Sequence, residues 1–581
     1  MKYIDFPYDK NPYFIFSPKG GINKLVFHCK NLWYINVPDS FSDWIHISEN
    51  QGQAGSFIVK IEIPIYTSDI LREGYIILKC WDENVKIPLV QYPEYAPIDN
   101  KEFMNYLLKN FDEDGDGKLS FEEISKITDI DLEHDCMSSL EGIQYLYNLK
   151  SLICRKNKLT YINLKDNRLL TRLCCGYNQL TELDLSQNTE LEYLECSNND
   201  LTELDLSKNT SLTTLYSHDN QLISLNISKN VELTRLCCSY NQLAELDLSK
   251  NLRLTLLYCD HNQFTNLNIS KNVELTKLCY SYNDLTELDL SNNTKLTTLY
   301  CKKNHLISLN IGKNTELTYL KCIDNDLTEL NLSENKELKY LECSNNDLTI
   351  LDLSQNTKLT TLRCDDNQLI SLNISKNVEL TRLCCSYNQL TELDLSQNSK
   401  MTRLYCDHNQ FTNLNISKNV ELSTICCGSN DLTELDLSKN TKLTKLSCNH
   451  NQFTNLNISK NAELISLNCS YNDLTDLDLS RNTKLEYLNC HNNQLKSLNI
   501  SKNAELMYLR CPYNDLTELD LSQNTMLTTI YCQNNQLKTL NISKNVELTR
   551  LCCRYNQLTK LDLSQNAKLT TLYCENNQLK S

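Results

Sequence analysis

The 581-residue sequence contains no apolar run approaching the ~20 residues needed to cross a bilayer, so we expect no membrane span. It has no excess of positive charge either, because 57 Lys and Arg stand against 73 Asp and Glu, a net charge of −16. Phosphate backbones require clustered Lys and Arg, so we expect no nucleic-acid partner. No glycine-rich phosphate loop and no zinc-spaced Cys/His cluster is present. These absences argue against an enzyme.

The 28 cysteines do not have the spacing of a disulfide framework. Nineteen of them fall on one 21-residue lattice that runs from Cys154 to Cys574 and is interrupted only by Ser217 and Tyr280. A fixed period of this length is typical of a solenoid built from stacked rungs. The sequence therefore predicts one repeat domain over residues 136–581, with about 21 rungs.

A typical rung reads LTYLKCIDNDLTELNLSENKE. Relative to the lattice cysteine, Leu recurs at −5, −2, +5, +8 and +10, and Asn stands at +3 in all 21 rungs. The first half, LxxLxCxxN, is the leucine-rich-repeat strand signature, and the second half repeats its logic. We therefore expect a mainly β solenoid with two short extended segments per rung. The lattice Cys should be buried, and the Asn should bond backbone groups of its own rung and a neighbour.

Residues 1–96 predict a small β-sandwich of seven short strands separated by Gly, Pro, Asn and Asp. Trp44, Arg72 and Gln91 carry a resemblance to BACON-type domains, which implies a carbohydrate role. The alternative is a spacer that lifts the next domain away from its anchor.

Residues 97–135 predict a helix, an acidic loop and a second short helix. The loop DEDGDGKLSFEE matches an EF-hand, with Gly117 at its sharp turn. Its predicted ligands of Ca²⁺ are Asp112, Asp114, Asp116, the carbonyl of Lys118, Ser120 and Glu123. Switching EF-hands come in pairs, so we expect this single loop to stiffen or cap the start of the solenoid. The alternative is a loop that folds without metal.

Tyrosine is concentrated at lattice positions predicted to face solvent, and the chain has 31 Tyr against 12 Phe. A large rigid ring with a hydroxyl is favoured at interfaces, and sugars also stack on it. The predicted ligand-binding residues at −1 are Tyr216, Tyr258, Tyr300, Tyr405 and Tyr531, and those at +2 are Tyr240, Tyr282, Tyr387, Tyr471 and Tyr513. The alternative is that Tyr is a good strand residue copied with each repeat.

Six further cysteines also stand at −1, where the sequence predicts exposed thiols on the concave surface. They are Cys174, Cys237, Cys279, Cys384, Cys426 and Cys552. Exposed thiols favour a reducing compartment.

The 21-residue unit resembles the IRREKO class of leucine-rich repeats, and its Cys column is similar to the cysteine ladder of internalin J-like bacterial surface proteins. This resemblance implies a monomeric, non-enzymatic adhesion protein that binds a protein or glycan ligand on its Tyr-rich concave strand face. It implies a cell-surface or secreted location, although the start MKYIDFPYDKNPYFIF has no apolar leader. The alternative is a cytoplasmic interaction scaffold.

Overall fold

The computed structural model describes residues 3–7 and 12–580. The chain forms two compact units, Met1–Asn251 and Leu252–Ser581. The first unit contains a β-sandwich, two helices and the start of the solenoid, and the second unit is solenoid throughout. The mainly β fold with 21-residue rungs is therefore confirmed. No helix in the described residues is long and apolar enough to cross a bilayer.

The sandwich contains nine strands where the sequence predicted seven. One sheet has the order β1-β3-β7-β5 and the other β2-β9-β8-β4-β6. The strands are Ile4–Asp5 (β1), Phe14–Phe16 (β2), Gly21–Cys29 (β3), Trp33–Asn36 (β4), His46–Ile47 (β5), Gln51–Gly52 (β6), Gly55–Ile63 (β7), Arg72–Cys80 (β8) and Glu83–Gln91 (β9).

Alternating burial along these strands produces one core between the two sheets, because successive side chains point to opposite faces. Trp33 is fully buried there and packs edge-on against Phe27 at 4.9 Å. The three residues that carry the BACON-type resemblance also contact one another. The guanidinium of Arg72 lies 4.2 Å from the Trp44 ring centroid and donates a hydrogen bond to Gln91.

Two helices follow the sandwich, α1 at Lys101–Phe111 and α2 at Phe121–Ile124. Helix α1 begins at the Asn100 cap, whose side chain accepts a hydrogen bond from the N–H of Phe103. An aromatic cluster then joins the sandwich end to the first rung: Tyr147 packs against Tyr92 at 4.8 Å and against Phe121 at 5.5 Å. The acidic loop between α1 and α2 therefore lies next to the junction with the solenoid.

Within each unit, each rung contributes one three-residue strand to a parallel sheet, because register partners from Ser151 onward are 21 residues apart. The first unit contains Asp129–Asp131 (β10), Ser151–Ile153 (β11), Arg172–Cys174 (β12), Tyr193–Glu195 (β13), Thr214–Tyr216 (β14) and Arg235–Cys237 (β15).

The second unit contains sixteen such strands. They are Leu256–Tyr258 (β16), Lys277–Cys279 (β17), Thr298–Tyr300 (β18), Tyr319–Lys321 (β19), Tyr340–Glu342 (β20), Thr361–Arg363 (β21), Arg382–Cys384 (β22), Arg403–Tyr405 (β23), Thr424–Cys426 (β24), Lys445–Ser447 (β25), Ser466–Asn468 (β26), Tyr487–Asn489 (β27), Tyr508–Arg510 (β28), Thr529–Tyr531 (β29), Arg550–Cys552 (β30) and Thr571–Tyr573 (β31).

The second extended segment of each rung forms no strand in the described residues. It contributes only isolated bridges, such as that between Asp289 and Asn310. An asparagine ladder stabilises this half: Nδ2 of Asn314 donates to the carbonyl oxygens of Leu290 and Asn293 in the preceding rung. Side-chain amides therefore replace a second strand ladder.

The columns at the lattice position and at +3 behave as predicted. All lattice cysteines from Cys154 to Cys553 are fully buried, and the 28 cysteines are thiols rather than disulfides. Asn178 donates to the carbonyl oxygens of Cys175 in its own rung and of Cys154 in the preceding one, both at 2.9 Å. Because these columns fix successive rungs to each other, side chains at a given strand position occupy equivalent places from rung to rung.

Candidate functional site

The first and third residues of each solenoid strand form a surface that we call the strand face. Side chains alternate along a strand, so these two positions share one side while the middle residue points inward. The middle residues, such as Leu299 and Leu383, are fully buried. The strand face therefore consists of lattice positions −3 and −1.

The ten predicted ligand-binding tyrosines fall in two different settings. Five are half-buried at the third strand position: Tyr216, Tyr258, Tyr300, Tyr405 and Tyr531. The other five lie in the turn after the strand, with φ between 51° and 57°: Tyr240, Tyr282, Tyr387, Tyr471 and Tyr513. The first set belongs to the strand face, and the second set borders it.

Rings from adjacent rungs stack in both settings. On the strand face, Tyr319 and Tyr340 are parallel with ring centroids 4.1 Å apart. In the turn, Tyr387 stacks on His408 at 4.1 Å. Two further Tyr–His pairs of the same kind are formed by Tyr282 with His261 and by Tyr471 with His450. Stacking of neighbouring rings restricts their motion, which makes these surfaces rigid.

A recurring arrangement that we call the tyrosine notch is formed where a small −1 cysteine stands between two −1 tyrosines. In the second unit, Cys279 has Tyr258 and Tyr300 as its register partners on either side. The ammonium of Lys277, on the same strand as Cys279, lies 5.0 Å and 5.5 Å from the centroids of those two rings. The first notch thus combines two aromatic walls with one cation.

The second notch has the same composition near the end of the second unit. Cys552 stands between Tyr531 and Tyr573, and Arg550 is the cation on its strand. A cavity of about 220 Å³ is lined there by Tyr531, Arg550, Leu551, Thr571 and Tyr573.

Five of the six −1 thiols are buried, so the prediction that these thiols are exposed is wrong. Cys279 is 1% exposed and Cys552 is 3% exposed, because large side chains of adjacent rungs cover them. Among the six −1 cysteines, only Cys237 reaches intermediate exposure. Burial also raises the pKa of the Cys426 thiol to about 11. Thiol exposure therefore gives no argument for a reducing compartment.

A cluster of charges lies on the strand face in the middle of the second unit. The Glu342 carboxylate is 5% exposed and accepts a hydrogen bond from Arg363 over 2.7 Å. It also accepts one from the Tyr340 hydroxyl over 2.8 Å, and Lys321 lies 3.2 Å away. An open cavity of about 620 Å³ adjoins this cluster, with Asp365 and Tyr387 in its wall. The buried carboxylate is thus compensated within the protein.

Sequence reasoning missed the cations of the strand face. In the second unit they are Lys277, Lys321, Arg363, Arg382, Arg403, Lys445, Arg510 and Arg550. The sequence contained a signal, because Lys or Arg is the first residue in three of the four strands of this unit that end in Cys. The net negative charge of the whole chain gave no indication of cations on the strand face.

The acidic loop brings three of its predicted calcium ligands together. One carboxylate oxygen from each of Asp112, Asp114 and Asp116 lies within 4.8 Å of the others. Gly117 has φ of +77°, a conformation that a side chain would strain, and its N–H donates to Asp112. Hard oxygen donors around a sharp turn fit Ca²⁺.

The remaining predicted ligands border this group. The Glu123 carboxylate accepts hydrogen bonds from the backbone N–H groups of Glu113 and Ser120 and from the Ser120 hydroxyl, all at 2.8 Å. Burial acts to raise the pKa of Glu123, but these hydrogen bonds outweigh it and hold the pKa below its ordinary value. The N–H of Lys118 donates to Asp116 over 2.8 Å. These hydrogen bonds therefore favour the ionised form of Glu123.

No family model matches the chain, and no curated protein sequence matches it. Solved structures do. The functional domain of InlJ from Listeria monocytogenes, which includes a cysteine ladder, is 32% identical, with 67% of this chain and 72% of that chain covered and a TM-score of 0.45.

Two other solved structures superpose more closely. YopM from Yersinia enterocolitica is 23% identical over 77% of this chain and 92% of that chain, with a TM-score of 0.60. PEPR1, solved as PEPR1–AtPEP1, is 21% identical over 78% of this chain and 76% of that chain, with a TM-score of 0.62. These two likenesses show a leucine-rich-repeat fold. The 32% identity to the InlJ domain over 72% of that chain, together with the buried cysteine column, shows that the chain belongs to the leucine-rich-repeat proteins, as a member with a cysteine ladder.

Proposed function

We propose that this chain is a non-enzymatic recognition protein that binds a protein partner on its strand face. The observation that carries the proposal is the pair of tyrosine notches in the second unit, around Cys279 and Cys552. Each presents two aromatic side chains and a cation on a backbone held by the asparagine and cysteine columns. Tyr and Arg dominate binding energy at protein interfaces, and a surface ordered before binding loses less entropy on association.

The comparison with solved structures supports a protein as the partner. PEPR1, which shares the fold, was solved together with AtPEP1. The identity of 32% to the InlJ functional domain supports a bacterial cell-surface or secreted location. A glycan remains the competing class of ligand, since sugars also stack on tyrosine rings.

A second part of the proposal is that Ca²⁺ stabilises the junction before the solenoid. Asp112, Asp114 and Asp116 would hold the ion, with the Lys118 carbonyl, Ser120 and Glu123 completing its oxygen ligands. Helix α2 begins at Phe121, within the last part of the loop motif, and Phe121 packs on Tyr147 of the first rung. Ordering the loop would therefore order this contact.

The test is capture of cell-surface proteins by the full chain, run beside a glycan array. The variant Tyr258→Ala, Tyr300→Ala, Tyr531→Ala should lose protein capture while its circular dichroism spectrum is unchanged. The matched control replaces Tyr34 and Tyr161, which are 46% and 54% exposed and lie outside the solenoid strand face. Capture that survives in the strand-face variant, or binding to glycans alone, would overturn the protein-binding proposal.

A further inference from the structure

The strand face of the second unit has a charge opposite to that of the whole chain. In the sixteen described strands of this unit, eight residues are Lys or Arg, and Glu342 is the one carboxylate. The chain as a whole carries −16. Within an acidic protein, the surface that carries the tyrosine notches thus has a net positive charge.

Six lysines elsewhere in the second unit form ion pairs with carboxylates of the preceding rung. Lys400, for example, lies 2.6 Å from Glu379, and Lys442 lies 2.6 Å from Glu421. The same arrangement is formed by Lys295 with Glu274, Lys358 with Glu337, Lys484 with Glu463, and Lys568 with Glu547. At these six positions the repeat places a glutamate one rung before the lysine.

Most cations of the strand face have no such carboxylate partner among the described residues. Lys321 and Arg363 share Glu342. The other six form no ion pair within the part of the chain that the structure describes: Lys277, Arg382, Arg403, Lys445, Arg510 and Arg550. Nearby Asp365 and Asp407 instead accept hydrogen bonds from the backbone N–H groups of Ser386 and Gly428, at 3.0 Å and 2.8 Å.

Two of these cations are direct neighbours. Arg382 and Arg403 are register partners on adjacent parallel strands, which are about 4.8 Å apart. Like charges at such positions destabilise a sheet, so the pair acts against folding unless an anion lies between the two guanidinium groups. A guanidinium binds a carboxylate through two parallel hydrogen bonds.

The two tyrosine notches also place a cation next to aromatic rings. Lys277 lies between the rings of Tyr258 and Tyr300, and Arg550 lines the 220 Å³ cavity between Tyr531 and Tyr573. A carboxylate on a short apolar stem fits both features, because its stem contacts a ring while its oxygens reach the cation. Aspartate and glutamate side chains have this form.

We infer that the strand face of the second unit binds an acidic polypeptide segment in an extended conformation. This inference rests on the proposed function and adds the chemistry of its partner. An extended chain can place carboxylates over cations on successive rungs, such as Arg363, Arg382 and Arg403, which follow one another on three adjacent strands. The contacts are polar and partly exposed, so binding weakens as salt screens the charges.

The test is fluorescence anisotropy of a labelled oligoglutamate peptide titrated with the full chain. The variant Arg382→Glu, Arg403→Glu should weaken binding about tenfold or more, equivalent to about 1.4 kcal/mol. The matched control is Lys376→Glu, Lys418→Glu, which changes the net charge equally at two exposed turn lysines. Unlabelled polygalacturonate serves as a competitor of the same charge that is not a polypeptide.

Binding of oligoglutamate that is lost in the arginine variant and kept in the lysine control supports the inference. Three results overturn it: no binding by the wild type, equal losses in both variants, or stronger competition by polygalacturonate than by unlabelled oligoglutamate. Failure here is distinct from failure of the proposed function. If the tyrosine variant loses capture of surface proteins while oligoglutamate does not bind, the recognition role stands and the acidic partner does not.

Discussion

Asn388 and Cys364 are 24 residues apart in the chain, yet Nδ2 of Asn388 donates a hydrogen bond to the carbonyl oxygen of Cys364 over 3.0 Å. The same amide donates to the carbonyl oxygen of Cys385 in its own rung, and its Oδ1 accepts from the N–H of Leu369 over 3.0 Å. One side chain therefore fixes two rungs relative to each other.

Replacing Asn388 with alanine should lower the free energy of unfolding by about 1–3 kcal/mol, because buried backbone groups of both rungs lose their partner. Chemical denaturation followed by circular dichroism measures the loss. The control is Asn413→Ala, which removes an exposed amide and should cost less than about 0.5 kcal/mol. Equal losses at the two positions would show that the ladder adds nothing to stability.

Calcium should raise the thermal midpoint of the full chain, since an ion that binds only the folded state stabilises it. Asp112→Ala with Glu123→Ala should remove the shift in a calorimetric titration against chelator-treated protein. Glu49→Ala with Asp82→Ala changes the charge equally at exposed sandwich residues and should keep it. A wild type whose midpoint does not respond to calcium would refute metal binding at the loop.

His491 should make stability depend on pH. Burial, reinforced by the positive charges of Arg510 and His450, lowers the pKa of His491 from its ordinary value to about 4. The unfolded state therefore binds the proton more readily, near pH ~6.5. The stability contributed by neutral His491 is complete above that pH and is lost as the pH falls toward 4.

The difference in unfolding free energy between pH 7 and pH 5 should thus be smaller for His491→Asn than for the wild type. His28→Asn is the control, since His28 is exposed on the sandwich. An unchanged difference in the His491 variant would mean that the ring reaches solvent in the folded protein.

Cys552 should react slowly with iodoacetamide in the native protein, because Tyr531 and Tyr573 cover it on both sides. Burial also raises its pKa and so reduces the reactive thiolate. Tyr531→Ala should speed its labelling, detected by mass spectrometry, while exposed Cys136 should react at the same rate in both proteins. Fast labelling of Cys552 in the wild type would contradict the notch geometry.

The 21-residue period was sufficient to predict the rung, because its features depend on neighbours at a fixed sequence distance. The lattice Cys, the −2 Leu and the +3 Asn each meet the same residue types in every rung. The burial of Cys279 could not be read from its own rung, since Tyr258 and Tyr300 cover it from the rungs on either side. The 21-residue period places both tyrosines beside Cys279. Comparison of the −1 column across three adjacent rungs would therefore have predicted this burial.

The cations of the strand face were missed for a different reason. Net charge averages Arg382 and Arg403 with the many carboxylates of the second half of each rung. Only the structure shows that those carboxylates form ion pairs with Lys400 and Lys442, whereas the two arginines form no ion pair among the described residues. The calcium loop was predictable as a motif, whereas the hydrogen bonds of Glu123 to Glu113 and Ser120 required coordinates.

The asparagine and cysteine columns also bear on how such a gene can change length. Each rung meets its neighbours through the same carbonyls and amides, so a duplication or deletion of any multiple of 21 codons begins and ends at equivalent points of the coil. Every new junction then inherits the contacts of an old one. Recombination between copies can thus lengthen or shorten the array without changing how its core packs.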